Sequence, residues 1–388
     1  MRPFSVPLPA VLAGFVAVLV GYASSAAIIW QAASAAGASE AQIAGWMTAL
    51  GLAMGVSTLA LTLWYRVPLL TAWSTPGAAL LATSLHGVSI NEVIGVFIFA
   101  NALILLCGLT GLFARLMKII PHSLAAAMLG GILLRFGLQA FRNIEGHFLL
   151  CGSMLLAWVL GKAFAPRYAI VGTLLAGIVA AWASGDVVTS GLRFSPVLPE
   201  FIAPEFTLTT LISIGIPFFL VTMASQNAPG VATFQAAGYQ VPVSPLMIFT
   251  GGLTVLLSGF GAFSVCIGAI SAAVCLSPDA HPDASKRWLA AIAAGLFYLL
   301  AGIFGSSITA LMTALPESWI QTLAGLALLG TFSGSLYQAL AHPSERDAAI
   351  VTFLITASGI TLLGIGSAFW GLIIGGACYA LLSRVART

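Results

Sequence analysis

Long uncharged stretches dominate this chain and restrict it to one class of fold. Only 6% of its 388 residues are charged, whereas 60% are hydrophobic, so most of the chain has no polar face to present to water. A membrane-spanning helix needs roughly 20 apolar residues, so a chain of this length with short loops accommodates about a dozen such helices or slightly more. The composition therefore excludes a soluble fold and predicts an all-α polytopic membrane protein.

Charges, Pro/Gly clusters and polar runs divide the chain into fourteen apolar segments. Seven lie before a polar linker and seven after it, near residues 8–31, 41–64, 69–85, 90–113, 121–139, 147–163, 167–185, 207–228, 244–258, 261–277, 287–305, 317–340, 348–363 and 365–383. With a cytoplasmic N-terminus, eleven of the fourteen basic residues fall on the cytoplasmic side. Because one missed span would move every later loop to the other side, this asymmetry favours fourteen spans with both termini cytoplasmic.

The two halves of the chain resemble each other at an offset of 195 residues. Residues 116–123 match residues 311–318 at that offset. Seven spans, an odd number, separate the halves, so the second copy enters the membrane from the opposite side. The sequence therefore predicts two inverted seven-helix repeats, at 1–185 and 206–388, joined by the linker at 186–205, which is the architecture of many secondary transporters.

The third and tenth segments have the features of broken helices. The third contains PLLTAWSTPG (residues 68–77), which predicts an extended stretch and then a helix with Ser74 or Thr75 as N-cap and Pro76 as its first residue. The tenth contains GFGAFSV (residues 259–265), from which we expect a helix that starts at Ser264. The unpaired N–H groups of two such helix starts favour a bound carboxylate near the membrane midplane. The alternative is that Gly and Pro only kink packed helices.

Polar and aromatic side chains near these breaks are candidate substrate contacts. The eighth segment contains the adjacent amides Gln226 and Asn227, which either line the cavity or bond a neighbouring helix, since an unpartnered buried amide is unfavourable. The aromatic rings either form a slot for a substrate ring or only pack. The candidate substrate-binding residues are Tyr22, Ser25, Trp73, Ser74, Thr75, Gln226, Asn227, Phe263 and Ser264.

The distribution of reactive side chains argues against metal binding and against catalysis. No Asp or Glu lies in the middle of any segment, which favours an anionic substrate, because a fixed carboxylate would repel it. The cysteines and histidines have no metal-ligand spacing, so we expect neither a metal nor a cofactor. An intramembrane serine protease would need a Gly-x-Ser-Gly nucleophile, and GTFSG (residues 330–334) has the wrong spacing. The sequence therefore predicts no enzyme.

Four stretches make the chain resemble the benzoate:proton symporter family, of the BenE type, over essentially its full length. These stretches are residues 21–27, 70–77, 120–124 and 224–230. The resemblance implies an inner-membrane carrier that imports benzoate or a related aromatic carboxylate by proton symport. It also implies the fourteen-span fold of the uracil-permease and anion-exchanger superfamily, with alternating access between a core domain and a gate domain.

The resemblance assigns parts of both repeats to each domain. The core is expected at residues 8–114 and 206–305, and the gate at 115–185 and 306–388. Nucleobase carriers of that superfamily use glutamates in the eighth and tenth spans, whereas Gln226 and Asn227 stand in this region, so the proton-coupling residue stays open. The expected partners are a small organic anion, protons and the bilayer, with no nucleic acid, and a homodimer is compatible. The alternatives are an anion channel or uniporter of the same fold, or a carrier of another organic anion.

Overall fold

Apolar helices make up most of the structure, a computed structural model that describes residues 7–115, 121–189, 196, 198–363 and 365–385. The helices are α1 (Leu8–Ala35), α2 (Glu40–Tyr65), α3 (Thr75–Ser84), α4 (Ile90–Thr110), α5 (His122–Gly146), α6 (Phe148–Phe164), α7 (Ala169–Ser184), α8 (Leu208–Gln235), α9 (Val243–Leu257), α10 (Ala269–Leu276), α11 (Trp288–Ile303), α12 (Gly305–Ala314), α13 (Glu317–Leu340), α14 (Arg346–Ser358) and α15 (Ser367–Val385).

Nine helices within the described ranges are long and apolar enough to cross a bilayer. They are α1, α2, α4, α5, α8 and α13, and also α7, α9 and α11 together with their adjoining 3-10 turns (Pro166–Ser184, Val243–Phe260 and Ala284–Ile303). Two shorter apolar helices occur at Phe148–Phe164 and Ser367–Ser383. A mostly helical polytopic protein is therefore confirmed, whereas the count of fourteen spans and the inverted repeat stay predictions. Part of the repeat match (residues 116–120) and the C-terminal Thr388 lie outside the described residues.

Two short β-ribbons correct the all-α prediction. Strand β1 (Thr71–Trp73) pairs antiparallel with β2 (Val265–Ile267), and Ala72 lies opposite Cys266. The second ribbon joins β3 (Thr361–Leu362) and β4 (Ile365–Gly366) between α14 and α15. The β1–β2 ribbon is fully buried, and its two strands lead directly into the half-helices α3 and α10. Since the strands are antiparallel, α3 and α10 run away from the ribbon in opposite directions.

Side chains of α2 provide hydrogen-bond partners for the groups of β1 that do not pair with β2. The Thr58 hydroxyl accepts a hydrogen bond from the backbone N–H of Thr71 (3.0 Å), and the Thr71 hydroxyl lies 2.6 Å from that of Ser57. The backbone N–H of Trp73 donates to the sulfur of Met54 (3.2 Å). Non-helical backbone at membrane depth requires such internal partners, because lipid offers none.

The start of the tenth helix corrects the prediction at Ser264. Helix α10 begins at Ala269 with Gly268 as N-cap. Ser264 instead lies before β2 and is fully buried, and its hydroxyl has no hydrogen-bond partner among the residues that the structure describes. Gly261 turns the chain with φ +93°, and the residues after it extend to pair with β1. Strand pairing uses the backbone groups of residues 265–267, so the helix starts only beyond the ribbon. In the third segment Ser74, one of the two predicted caps, caps α3, and the helix begins at Thr75, one residue before the predicted Pro76.

Two further elements differ from the sequence prediction. Pro229 does not end the eighth span, which continues through it. Wider π-helical turns at Leu211–Gly215 and Met223–Asn227 lie just before Pro217 and Pro229, and such turns accommodate a residue that cannot donate to the helical ladder. The connection after the eleventh segment, which the sequence left unassigned, contains α12, and α12 packs on α2.

The helices pack in two groups. Helix α1 packs on α3, α10 and α11, while α2 packs on α11 and α4 on α9. In the second group α5 packs on α13 and α14, α6 on α7, and α14 on α15. Contacts of α1 with α7 and α13, and of α3 with α5, join the groups. The β1–β2 ribbon therefore lies within the first group, and its half-helices reach the boundary with the second.

Candidate functional site

A small cavity lies where the first turns of α3 and α10 meet α1, α8, α11 and α13. Its volume is about 190 Å³, below the roughly 300 Å³ at which drug-sized ligand pockets begin, so it suits a small solute. We call it the central cavity. It is lined by Gly21, Ser24, Ser25, Ala72, Trp73, Thr75, Pro76, Ser225, Gln226, Pro229, Gly268, Ser271, Tyr298, Ala327, Leu328 and Thr331.

Four of the predicted site residues line the central cavity. They are Ser25, Trp73, Thr75 and Gln226. The hydroxyls of Ser25 and Thr75 lie 2.8 Å apart, which joins α1 to the start of α3. Ser25 Oγ also lies 3.4 Å from Ser24 Oγ, so the O–H of Thr75 is free for a ligand when Ser25 donates to Thr75. This pair can therefore donate one hydrogen bond to a ligand oxygen.

The adjacent amides of α8 both bind the backbone of Ile267. Gln226 Nε2 donates to the Ile267 carbonyl oxygen (3.1 Å), and the Ile267 N–H donates to Asn227 Oδ1 (3.1 Å). The two amides thus provide hydrogen-bond partners for backbone groups of β2 that do not pair with β1, as side chains of α2 do for β1. Only Gln226 also lines the central cavity, whereas Asn227 is buried beneath it.

The other predicted residues lie around the central cavity without lining it. Ser74 caps α3 through the Gly77 N–H (3.1 Å). Tyr22 packs edge-on against Trp73, with ring centroids 4.6 Å apart, and so positions the ring that does line the cavity. Phe263 belongs to a buried aromatic cluster with Phe97, 6.1 Å away. The structure therefore brings four of the nine predicted residues together in one cavity and places the other five outside its lining.

Several lining residues were missing from the predicted set. Ser271 lies in the first turn of α10, and its side chain is hydrogen-bonded to Tyr298 of α11. Thr331 contributes from α13. Each is a polar residue inside an apolar segment, the same signal that identified Gln226 in the eighth segment. What the sequence lacked was the direction in which each of these helices faces.

The two half-helix starts differ in how their N–H groups are satisfied. Helix α3 has a side-chain cap, because the Ser74 hydroxyl accepts from Gly77. Helix α10 has none, since its N-cap is Gly268. The first N–H groups of a helix have no intrahelical partner and carry partial positive charge. All eleven acidic residues of the chain are described and none is buried, so no Asp or Glu side chain opposes that charge inside the fold.

A larger cavity borders the central cavity on the side toward which α10 points. This second cavity, of about 440 Å³, lies between α6, α7, α10 and α13, and we call it the Lys162 cavity. It shares Ser24, Ala327 and Thr331 with the central cavity. Arg167 also lines it and forms a 3.7 Å ion pair with the largely exposed Asp279. The central cavity therefore adjoins a larger cavity on one side of the β1–β2 ribbon.

Removing the Asn227 amide is expected to destabilise the protein. Asn227→Leu leaves the buried N–H of Ile267 without an acceptor, which lowers the free energy of unfolding by about 1–3 kcal/mol. Thermal unfolding of the detergent-solubilised protein measures the loss. Gln235→Leu, at an exposed position of the same helix, is the control and should change stability by less than about 0.5 kcal/mol. Equal stability of both variants would show that the Asn227 contact does not hold β2.

Comparison with known proteins assigns the family. A family model described as "Benzoate membrane transport protein" matches residues 5–381. The chain belongs to the benzoate membrane transport protein family. It is 38% identical over 378 residues to the benzoate membrane transport protein of Acinetobacter baylyi, covering 97% of this chain and 96% of that protein. It is 68% identical over 386 residues to the inner membrane protein YdcO of Escherichia coli, covering 100% of this chain and 99% of the relative.

Solved structures show that this family member shares the fold of anion transporters. The murine Solute Carrier 26 family member A9 anion transporter in the inward-facing state aligns with a TM-score of 0.61 at 12% identity, over 100% of this chain and 70% of that one. The transmembrane domain of the cyanobacterial bicarbonate transporter BicA aligns with a TM-score of 0.63 at 14% identity, over 95% and 97%. The predicted family resemblance is confirmed, and so is the prediction of a transporter instead of an enzyme, because the family and its benzoate-transporting relative are transporters.

Proposed function

We propose that this protein is a secondary active transporter that imports benzoate or a closely related aromatic carboxylate across a bacterial inner membrane. Support comes from the family, from the relative named as a benzoate membrane transport protein and from the relative named as an inner membrane protein. The observation that carries the proposal is the central cavity, where an uncapped helix start meets hydroxyl and amide groups with no acidic side chain. Such a site favours a small anion.

The carboxylate binds at the start of α10 and the ring lies against apolar groups. The N–H groups of the first turn of α10 and the free O–H of the Ser25–Thr75 pair donate to the carboxylate oxygens. Trp73 and Leu328 line the same cavity and provide the apolar surface for the ring. Gln226, held by Ile267, directs its amide toward the same space. This arrangement selects a small, flat molecule with one negative end.

Transport proceeds by alternating access between two helix groups. We assign α1–α4 and α8–α11 to a core and α5–α7 and α13–α15 to a gate, within fourteen spans arranged as two inverted repeats with both termini cytoplasmic. In support, the packing separates these groups, and the central cavity lies where they meet. The central cavity adjoins the Lys162 cavity on one side, and movement of the core against the gate would expose it to one side of the membrane at a time.

Proton coupling does not depend on a single buried acid of the protein. None of the eleven acidic residues, all of them described, is buried. Protonation of the substrate carboxylate itself is the route that this composition favours. Neutralising the acids nearest the helix ends, as in Glu92→Gln and Glu145→Gln, should therefore leave some dependence on the proton gradient.

Uptake of labelled benzoate into proteoliposomes tests the proposed function. An inward proton gradient should accelerate uptake of benzoate by the purified protein, because substrate and proton move together, and unlabelled benzoate should compete. Benzoate flux that does not depend on the proton gradient would favour an anion channel or uniporter. Efficient uptake of another organic anion without competition by benzoate would refute the aromatic carboxylate as substrate. Loss of gradient dependence in Glu92→Gln or Glu145→Gln, with exchange preserved, would place an acid in the coupling path.

A further inference from the structure

A third cavity lies on the side of the fold opposite the Lys162 cavity. Its volume is about 280 Å³, and it lies between the last turn of α3, the first turns of α8, and helices α5, α14 and α15. Because α3 and α10 point in opposite directions, the end of α3 and the end of α10 mark opposite sides. We call it the Arg135 cavity after its only basic side chain besides His86. It shares no lining residue with the central cavity.

Arg135 is an unusual residue for its position. It occupies the middle of α5, a helix long enough to span the bilayer, and among the described candidate spans no other charged residue lies in the central third. Charged residues at such depth face a cavity or pair with a counterion, and they mark solute pathways. The ion pairs found in the described part of the chain, Arg167–Asp279 and Lys286–Asp283, do not include Arg135.

The surroundings of Arg135 suit an anion. None of the sixteen residues that line the cavity is acidic, and eight carry hydroxyl groups. His86 adds a ring N–H donor in either protonation state. Gly359, with φ +67°, lies directly against the guanidinium, and a Cβ at this position would overlap it. The absence of that Cβ leaves room for the arginine side chain beside the β3–β4 ribbon.

The Arg135 and Lys162 cavities correspond through the internal offset of 195 residues. Ile132 and Arg135 line the first cavity, and their equivalents Ala327 and Gly330 line the second. Thr361 and Pro166 are paired in the same way. The two cavities therefore occupy related places on opposite sides of the β1–β2 ribbon. The Lys162 cavity shares three lining residues with the central cavity, and the Arg135 cavity shares none. Both contain basic groups.

We propose that the Arg135 cavity is a second anion site, which captures the substrate carboxylate before the central cavity opens to that side. The Arg135 guanidinium holds the carboxylate, and the hydroxyl groups of the cavity complete its hydrogen bonds. The capture of benzoate rests on the proposed function. The preference for anions does not, because it follows from the charge and the donors of the cavity alone.

The anion preference is tested with a cysteine placed at Thr361, an exposed residue that lines the cavity. In Thr361→Cys, the rate of modification by a negatively charged methanethiosulfonate is compared with the rate for a positively charged one, each normalised to a free thiol in solution. The ratio of the rate for the negative reagent to the rate for the positive reagent should fall roughly threefold or more when Arg135→Gln is added, because one positive charge near the thiol is lost. Arg135→Lys should preserve the ratio, and so should Arg142→Gln, which removes an exposed charge of the same helix outside the cavity. The protein has cysteines of its own, so background labelling is measured in the protein without Thr361→Cys.

The capture role is tested by benzoate uptake into cells. Arg135→Gln should raise KM roughly tenfold and change kcat by less than about twofold, because the positive charge raises the local concentration of the anion and its rate of entry without contacting it during translocation. Arg142→Gln should change neither KM nor kcat. If the normalised ratio of thiol modification rates is the same in Thr361→Cys with and without Arg135→Gln, the anion site is refuted, whatever the protein transports. A reduced ratio with unchanged KM overturns the capture role. If the unaltered protein carries no benzoate, the proposed function fails, and the thiol experiment still decides the anion site.

Discussion

Replacing Gln226 with glutamate is expected to weaken benzoate binding by more than roughly two orders of magnitude at alkaline pH. The new carboxylate lies in the central cavity beside the bound anion, and two like charges about 4 Å apart repel by roughly 4 kcal/mol at an effective dielectric near 20. Each 1.4 kcal/mol or so corresponds to about a tenfold change in affinity. The variant also lacks the N–H that donates to the Ile267 carbonyl. Equilibrium binding of labelled benzoate to the purified protein measures the effect.

The loss in Gln226→Glu should shrink as the pH falls. The introduced glutamate is neutral when protonated, and its O–H can then donate to Ile267 as the amide does. The defect is therefore largest above the pKa of the new side chain and decreases below it. Gln235→Glu, an exposed position on the same helix that does not line the cavity, should bind benzoate normally. Unchanged affinity of Gln226→Glu at alkaline pH would show that Gln226 does not face the substrate, and would move the site toward Ser25 in α1.

Replacing Gly261 with alanine is expected to abolish stable folding or to lower the unfolding temperature strongly. Gly261 has φ +93°, and an added Cβ would overlap the buried indole of Trp46. The backbone conformation alone disfavours a side chain by about 1–3 kcal/mol, and overpacking a filled core adds typically 1–3 kcal/mol. Because this turn leads into β2, the strain also displaces the start of α10. Thermal unfolding in detergent measures the change.

Gly37→Ala separates the two contributions. Gly37 also has a positive φ, +73°, but nothing lies within 4 Å of an added Cβ. That variant should show only the backbone strain and remain folded. If Gly261→Ala and Gly37→Ala lose the same stability, the contact with Trp46 is not the reason that position 261 requires glycine.

The sequence predicted the local structure beside the central cavity well because its signals there are local. PLLTAWSTPG predicts an extended stretch and then a helix, and the structure has β1, the cap Ser74 and α3 in that order. Gln226 stood out as an amide in an apolar segment, and it lines the central cavity. The equally local signal of Asn227 led to a different role, since its carbonyl accepts from Ile267 below the cavity surface. Adjacent residues on a helix face different directions, and composition does not predict which of the two side chains faces the cavity.

By itself the sequence determined that this chain is a polytopic helical membrane protein with broken third and tenth segments, because a bilayer leaves a long uncharged chain few alternatives. Tertiary structure alone decided where α10 begins. The ribbon joins Ala72 to Cys266, 194 positions apart, and this pairing keeps residues 265–267 extended where local preference would allow a helix from Ser264. It likewise decided which polar residues share the central cavity and that Arg135 faces a separate one, because these depend on how distant helices are oriented when they pack.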